Sequence, residues 1–88
     1  PMARIFSISF TYQDVQHNTM VLVRTTPFYL EYTLSNLADE LQEQLPGNKI
    51  ISPSARQFIF PNASSDHNLT LMNAIISAVK MHLQTVNY

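Results

Sequence analysis

The sequence predicts an α+β protein in which two helices cover one face of a mainly antiparallel sheet. Apolar and polar residues alternate strictly over residues 6–12 and again over residues 28–34, which is typical of strands with one buried and one solvated face. Near the C-terminus the period changes, and the apolar residues form one helical stripe at Met72, Ile75, Ile76, Val79, Leu83 and Val86. The chain therefore has one apolar sheet face and one apolar helix that can cover it.

The first predicted strand runs from Arg4 to Tyr12. Its even-numbered residues from position 6 onwards are aromatic or aliphatic and face the core, while serine and threonine face water. The polar segment 13–18 has the length of a hairpin connection. Residues 19–25 are β-branched and apolar, and they predict a second, central strand that is covered on both faces.

A third strand is predicted from Phe28 to Leu34, after a proline that interrupts the ladder. Its even-numbered residues continue the apolar face, so we expect Phe28 to belong to the core. Short links between successive strands favour antiparallel neighbours. In this register Tyr29 faces outwards beside Glu31 and Thr33, and an exposed tyrosine on a polar sheet face is a common interface anchor. Tyr29 is therefore the candidate binding residue.

A helix is predicted to follow, with Ser35 or Asn36 as its cap and leucines four residues apart as its apolar stripe, beginning at Leu37. Pro46 and Gly47 end it, because proline cannot continue a helix and glycine can adopt a left-handed turn.

The rest of the chain predicts a strand and a second helix. Residues 49–51 can form a short extended segment, and residues 57–60 form a better strand candidate that a proline ends. The polar loop 62–68 is rich in capping residues and leads into a final helix from about Leu69 to Gln84. The predicted order is β-β-β-α-β-α in a single domain that covers residues 1–88.

Composition excludes several classes of function. The chain has no cysteine, which excludes disulfides, thiolate zinc sites and a cysteine nucleophile, and its single glycine excludes a glycine-rich phosphate loop. The five lysines and arginines are scattered singly, so we expect no binding to nucleic acid. Apolar runs are too short for a transmembrane helix and the N-terminus lacks a signal pattern, so we expect no membrane partner and a cytoplasmic protein.

Two features of the composition favour self-association. Charged residues make up only 12% of the chain, about half the usual share, so part of the surface is expected to lie in an interface. A domain of 88 residues also has a small core, and without disulfides a second copy is one route to stability. These features favour a homodimer.

Pro1 is the residue that suggests catalysis. A free N-terminal proline amine is the general base of tautomerase-like enzymes, and Pro1-Met2 resembles the start of some of them. The other interpretation is that Met2 is the natural start and Pro1 is left from an expression tag. Beyond these two residues the resemblance fails, because that family's first strand leads into a helix, whereas residues 16–25 here predict a hairpin and a strand.

The histidines and acids point to no further site. His17, His67 and His82 lack the i, i+4 spacing of a helical metal site, so we expect neither a metal nor a cofactor. The pair Asp66-His67 is interpreted as a helix cap, and His82 as a structural residue near a helix C-terminus.

Residues 3–10 and 45–50 together resemble a family of small uncharacterised bacterial proteins of about 80–90 residues. Members of this family begin with a similar "RIFSISF" strand, carry an "LPG-x-K-[IV]" turn and close with an amphipathic helix. The resemblance covers most of the chain and implies a bacterial cytoplasmic protein with no assigned activity. It carries over no functional residues, and it favours Met2 as the native start.

The leading hypothesis is a non-enzymatic module that acts by protein association, as a homodimer. The alternative is a tautomerase-like small-molecule enzyme with Pro1 as its base. A third possibility is a ligand of unknown identity bound between the sheet and the helices, which a fully packed core would oppose.

Overall fold

The computed structural model describes residues 4–85. Its elements are β1 Arg4–Tyr12, β2 Val15–Thr25, β3 Leu30–Ser35, α1 Asp39–Gln42, β4 Lys49–Ser54, β5 Gln57–Ile59 and α2 Leu69–Thr85. The strands form one antiparallel sheet in the order β1-β2-β3-β4-β5, so the chain is a meander with β1 and β5 at its edges. The predicted α+β class is confirmed. Within the described part, no helix is long and apolar enough to cross a membrane.

The first hairpin is tighter than the sequence predicts. Gln13 and Asp14 form a two-residue turn with φ values of 51° and 63°, which is the type I′ conformation that matches the twist of paired strands. The predicted connection 13–18 is wrong, because residues 15–18 already pair with residues 9–12. Polar residues are accepted in this part of β2 because two of the three, Gln16 and Asn18, point to the outer, solvated face.

The strand β2 is covered on one face only. Thr19, Val21 and Val23 are buried on the inner face, which faces the helices, whereas Leu22 on the outer face is 39% exposed. The prediction that this strand is covered on both faces is therefore wrong. No second layer of described residues lies against the outer face.

Phe28 is 82% exposed, so its predicted place in the core is wrong. The strand β3 begins only at Leu30, and residues 26–29 form a turn that the Thr26 side chain closes. The Thr26 hydroxyl donates to the Tyr29 carbonyl at 2.8 Å and accepts the Tyr29 N–H at 3.0 Å. Phe28 stands at the tip of this turn, before the chain enters the sheet.

The helix α1 is a single turn. It begins after Ala38 without a side-chain cap, so the predicted cap at Ser35 or Asn36 is wrong. Asn36, with φ of 61°, instead turns the chain away from β3 in the left-handed conformation, whereas Gly47 does not adopt it. The predicted end of this helix at Pro46 is wrong, because α1 ends at Gln42. The three leucines of the predicted stripe are nevertheless buried, although only the second lies in the helix: Leu37, Leu41 and Leu45.

The helix α2 closes the inner face close to its predicted bounds. Its buried stripe consists of Leu71, Met72, Ile75 and Val79, and it packs on inner-face residues that include Ile8, Val21, Tyr32 and Ile50. Val86, the last residue of the predicted stripe, lies outside the described residues.

The cap of α2 is Asn68, whose Oδ1 accepts the Leu71 N–H at 3.0 Å. The Asp66-His67 pair does not cap it, because His67 Nδ1 accepts the Ser64 N–H at 3.0 Å within the preceding loop. At the other end of the helix, the His82 ring stacks on Phe6 with centroids 4.0 Å apart.

Candidate functional site

The first candidate surface is the open edge of β1, defined here by the backbone groups of Ile5, Ser7, Ser9 and Thr11. Tyr12 and Val15 flank the two-residue turn, so they form a hydrogen-bonded pair, and such pairs alternate along an antiparallel ladder. Even-numbered residues of β1 therefore bond to β2, and odd-numbered residues direct their N–H and C=O groups away from it. No strand in the described chain pairs with this side of β1.

The open edge lacks the features that protect most edge strands. It is nine residues long, contains no proline, and its register runs without a bulge from Arg4↔Val23 to Tyr12↔Val15. Natural proteins usually block such a row of backbone donors and acceptors with proline, lysine, bulges or a very short strand. The edge of β1 is therefore competent to pair with another chain.

The opposite edge of the sheet, formed by β5, is protected by a short strand, an irregular register and a proline. The strand β5 has three residues, and its register against β4 is irregular between Ile51 and Ser54. Pro53 lies within this irregular stretch, where its missing N–H weakens the ladder. The sheet thus has one edge suited to pairing and one that is not.

An apolar strip on the outer face borders the open edge. Ile5 of β1 is 64% exposed and lies directly opposite Leu22 of β2. Ser9, further along the same row, donates its hydroxyl to Asn18 Oδ1 at 2.6 Å. The outer face is therefore a mixture of apolar and neutral polar side chains near β1.

Glu31 holds the centre of the outer face. It is only 7% exposed, and its carboxylate lies 3.3 Å from Arg24 Nη2 and 3.7 Å from Lys49 Nζ. Two cations on the neighbouring strands β2 and β4 thus compensate one buried acid. This cluster explains how a sheet face without a covering layer keeps an acidic side chain out of water.

The remaining charges divide between the two ends of the molecule. The cations lie where β1 starts, at the β4–β5 turn and near the end of α2: Arg4, Arg56 and Lys80. The acids lie at the β1–β2 turn, along α1 and in the loop before α2: Asp14, Asp39, Glu40, Glu43 and Asp66. Because β1 spans the sheet from one group to the other, the molecule has a basic end and an acidic end.

The second candidate surface is a groove at the basic end, between the β4–β5 hairpin and the C-terminal half of α2. It has two lobes of about 540 Å³ each, which share Ala55, Phe58 and Leu83 as lining residues. The outer lobe also contains Arg56 and Lys80, and the inner lobe extends under the sheet to Leu30 and Tyr32. Burial raises the pKa of Tyr32, which lines the inner lobe, above its ordinary value of 10.0, and the positive charge of Arg4 opposes this effect. The two lobes show that side chains do not fill all the space between the sheet and α2 at the basic end.

Of the two residues that the sequence predicts as sites, Tyr29 lies in the described part of the chain. The predicted place of Tyr29 on the outer face of the third strand is wrong, because it is half-buried in the turn before β3. Its role as an interface anchor stays a prediction. Pro1 lies outside the described residues. Across residues 4–85, no group of three histidine or acidic side chains could hold a metal ion.

Sequence reasoning missed the residues of the open edge and of the groove. Their side chains carry no motif, since the serines of β1 look like ordinary solvated positions and Arg56 and Lys80 are scattered cations. The exposed aromatic Phe28 was also missed, because the alternation of residues 28–34 assigns it to the core.

No family model, curated protein or solved structure matches the chain. The bacterial source and cytoplasmic location expected from the sequence stay predictions.

Proposed function

We propose that this protein acts by protein association, as a homodimer in which the β1 strands of two copies pair antiparallel. The single observation that carries the proposal is the open edge of β1, which offers a regular ladder of donors and acceptors. Pairing there satisfies backbone groups in the same way as a further strand of the sheet. The two five-stranded sheets would then form one continuous sheet.

The register with the greatest overlap is centred on Ile8. It places Ser7 of one copy opposite Ser9 of the other, and Ile5 opposite Thr11. Each of these residues directs its N–H and C=O groups outwards, so all of them find partners in this register. A two-fold axis through Ile8 makes the same patch face itself, as a symmetric dimer requires.

Charge supports the antiparallel orientation. Antiparallel pairing brings the basic end of each copy beside the acidic end of the other, with Arg4 next to the turn that carries Asp14. Opposite potentials at facing surfaces favour correct encounter and orientation. A parallel arrangement would instead place like charges together.

Sedimentation equilibrium tests the association. We expect a particle of twice the monomer mass of 10.0 kDa at micromolar to millimolar concentration. Amide hydrogen exchange in the same samples should show that Ser7 and Ser9 become protected as the dimer forms. A particle that stays at the monomer mass over this range would refute the proposal.

Two substitutions test the position of the interface. Ser7→Pro removes a donor on the open edge but none of the bonds to β2, so we expect a folded monomer. Ser7→Lys is a milder variant that adds an edge lysine, and Ser77→Lys on the exposed side of α2 is its matched control. A dimer that persists in both Ser7 variants would place the interface elsewhere.

A further inference from the structure

The groove at the basic end has the size and the chemistry of a small-molecule site. Each lobe, at about 540 Å³, falls within the range of known ligand pockets, roughly 300–1,000 Å³. The two lobes are adjacent, since Ala55, Phe58 and Leu83 line both of them. The groove opens between α2 and the β4–β5 hairpin, on the inner side of the sheet, and is separate from the open edge of β1.

The outer lobe is positively charged. Arg56 from the β4–β5 turn and Lys80 from α2 line it, and among residues 4–85 neither has an ion-pair partner. No described residue that lines either lobe is acidic. The Lys80 ammonium also lies 5.7 Å from the centre of the Phe58 ring, which holds it over the groove wall.

The inner lobe is mainly apolar. Its apolar walls are formed by Leu30, Tyr32, Ala55, Phe58 and Leu83, and Arg4, Ser52 and Ser54 complete its lining. The hydroxyl of Ser52, which also lines it, already donates to the Ser54 carbonyl at 2.6 Å and does not need a ligand as a partner. An apolar group can enter this lobe without leaving that hydroxyl unpaired.

We propose that the groove binds a carboxylate that carries an apolar chain, with the carboxylate between Arg56 and Lys80 and the chain along Phe58 into the inner lobe. The planar fork of an arginine matches the two oxygens of a carboxylate, and lysine adds a second positive charge. The apolar walls of the inner lobe would contact the apolar chain of the ligand. This site does not depend on the homodimer, because Arg56, Phe58 and Lys80 lie away from the open edge. Arg4, which lines the inner lobe, directs its backbone groups to β2 and not to the open edge.

The probe is decanoate, titrated into the full-length protein while amide chemical shifts are recorded. Saturable shifts are expected at Phe58, Lys80 and Leu83. Decanol carries the same chain without the charge and should bind at least about tenfold more weakly, since a charge-assisted contact is lost. Equal affinity for decanol and decanoate, or no saturation with decanoate, would overturn the proposal.

Substitutions distinguish the site from general attraction to a basic surface. Arg56→Gln and Lys80→Gln should each weaken decanoate binding about tenfold or more. The control Lys49→Gln removes the same charge on the other face of the sheet and should leave decanoate binding unchanged. Ala55→Trp fills the wall shared by both lobes and should abolish binding with all cations present. Unchanged affinity in the Arg56 and Lys80 variants, or equal weakening by Lys49→Gln, would refute the assignment.

Discussion

Asn68 and Gln44 are joined at two points, one through the backbone and one through their side chains. The Asn68 N–H donates to the Gln44 carbonyl at 3.0 Å, and Asn68 Nδ2 donates to Gln44 Oε1 at 2.7 Å. The same Nδ2 also donates to the Tyr12 hydroxyl. Asn68 therefore ties together the end of β1, the segment after α1 and the start of α2, which it also caps.

Replacing Asn68 by alanine should lower the free energy of unfolding by about 2 kcal/mol, because a helix cap and part-buried hydrogen bonds are lost together. Urea unfolding measures this loss. Asn68→Asp keeps the acceptor for the Leu71 N–H but loses the donor to Gln44. Its free energy of unfolding should therefore lie between those of wild type and Asn68→Ala. The control Asn73→Ala, at an exposed position of α2, should cost nothing. Equal stability of Asn68→Ala and wild type would contradict the role of this residue.

Replacing Thr19 by valine should stabilise the protein by about 1 kcal/mol. Thr19 is 2% exposed on the inner face, and its hydroxyl has no hydrogen-bond partner among the described residues. Valine has nearly the same shape and removes the unsatisfied group. Thermal or urea unfolding gives the change, and Val21→Thr, which buries a hydroxyl next to it, should have the opposite sign. A lower stability for Thr19→Val would show that the hydroxyl is in fact satisfied.

The free energy of unfolding should fall at alkaline pH because the buried Tyr32 phenol ionises less readily in the folded state than in the unfolded chain. Its pKa in the folded state is raised by burial, so the neutral phenol is favoured there and the unfolded chain ionises first, near pH 10.0. The contribution of Tyr32 is complete below that pH and is lost as the pH rises through the folded-state pKa. Urea unfolding between about pH 8 and pH 11 should show a smaller decline for Tyr32→Phe than for wild type. Tyr29→Phe, in the turn before β3, serves as the control and should decline like wild type.

A substitution in the turn between β1 and β2 should stabilise the folded protein. Asp14 has a φ of 63°, a left-handed conformation that glycine adopts without strain. Asp14→Gly should therefore raise the free energy of unfolding by about 0.5–1 kcal/mol. Gln16→Gly, in the interior of β2, is the matched control and should lower it by a similar amount. If both variants are destabilised alike, the type I′ turn is not the preferred conformation in solution.

Much of the fold could be predicted from side-chain period alone. The even-numbered residues of β1 face the core as expected, because a period of two depends only on the pleat of the strand itself. The stripe of α2 follows from the period of the helix in the same way. The errors at residues 15–18 and at Phe28 share one cause, since where a strand begins depends on the turn that precedes it. Neither the type I′ turn at Gln13 nor the turn that Thr26 closes has a strong signature in the sequence.

The α+β class, the inner face of β1 and the covering helix can be predicted from the chain alone, since they follow from side-chain periods among residues that are near one another in the chain. The edge position of β1 and the placing of Arg56 and Lys80 along one groove become visible only in the folded chain. Both facts depend on which distant segments become neighbours, and no local period of side chains records that.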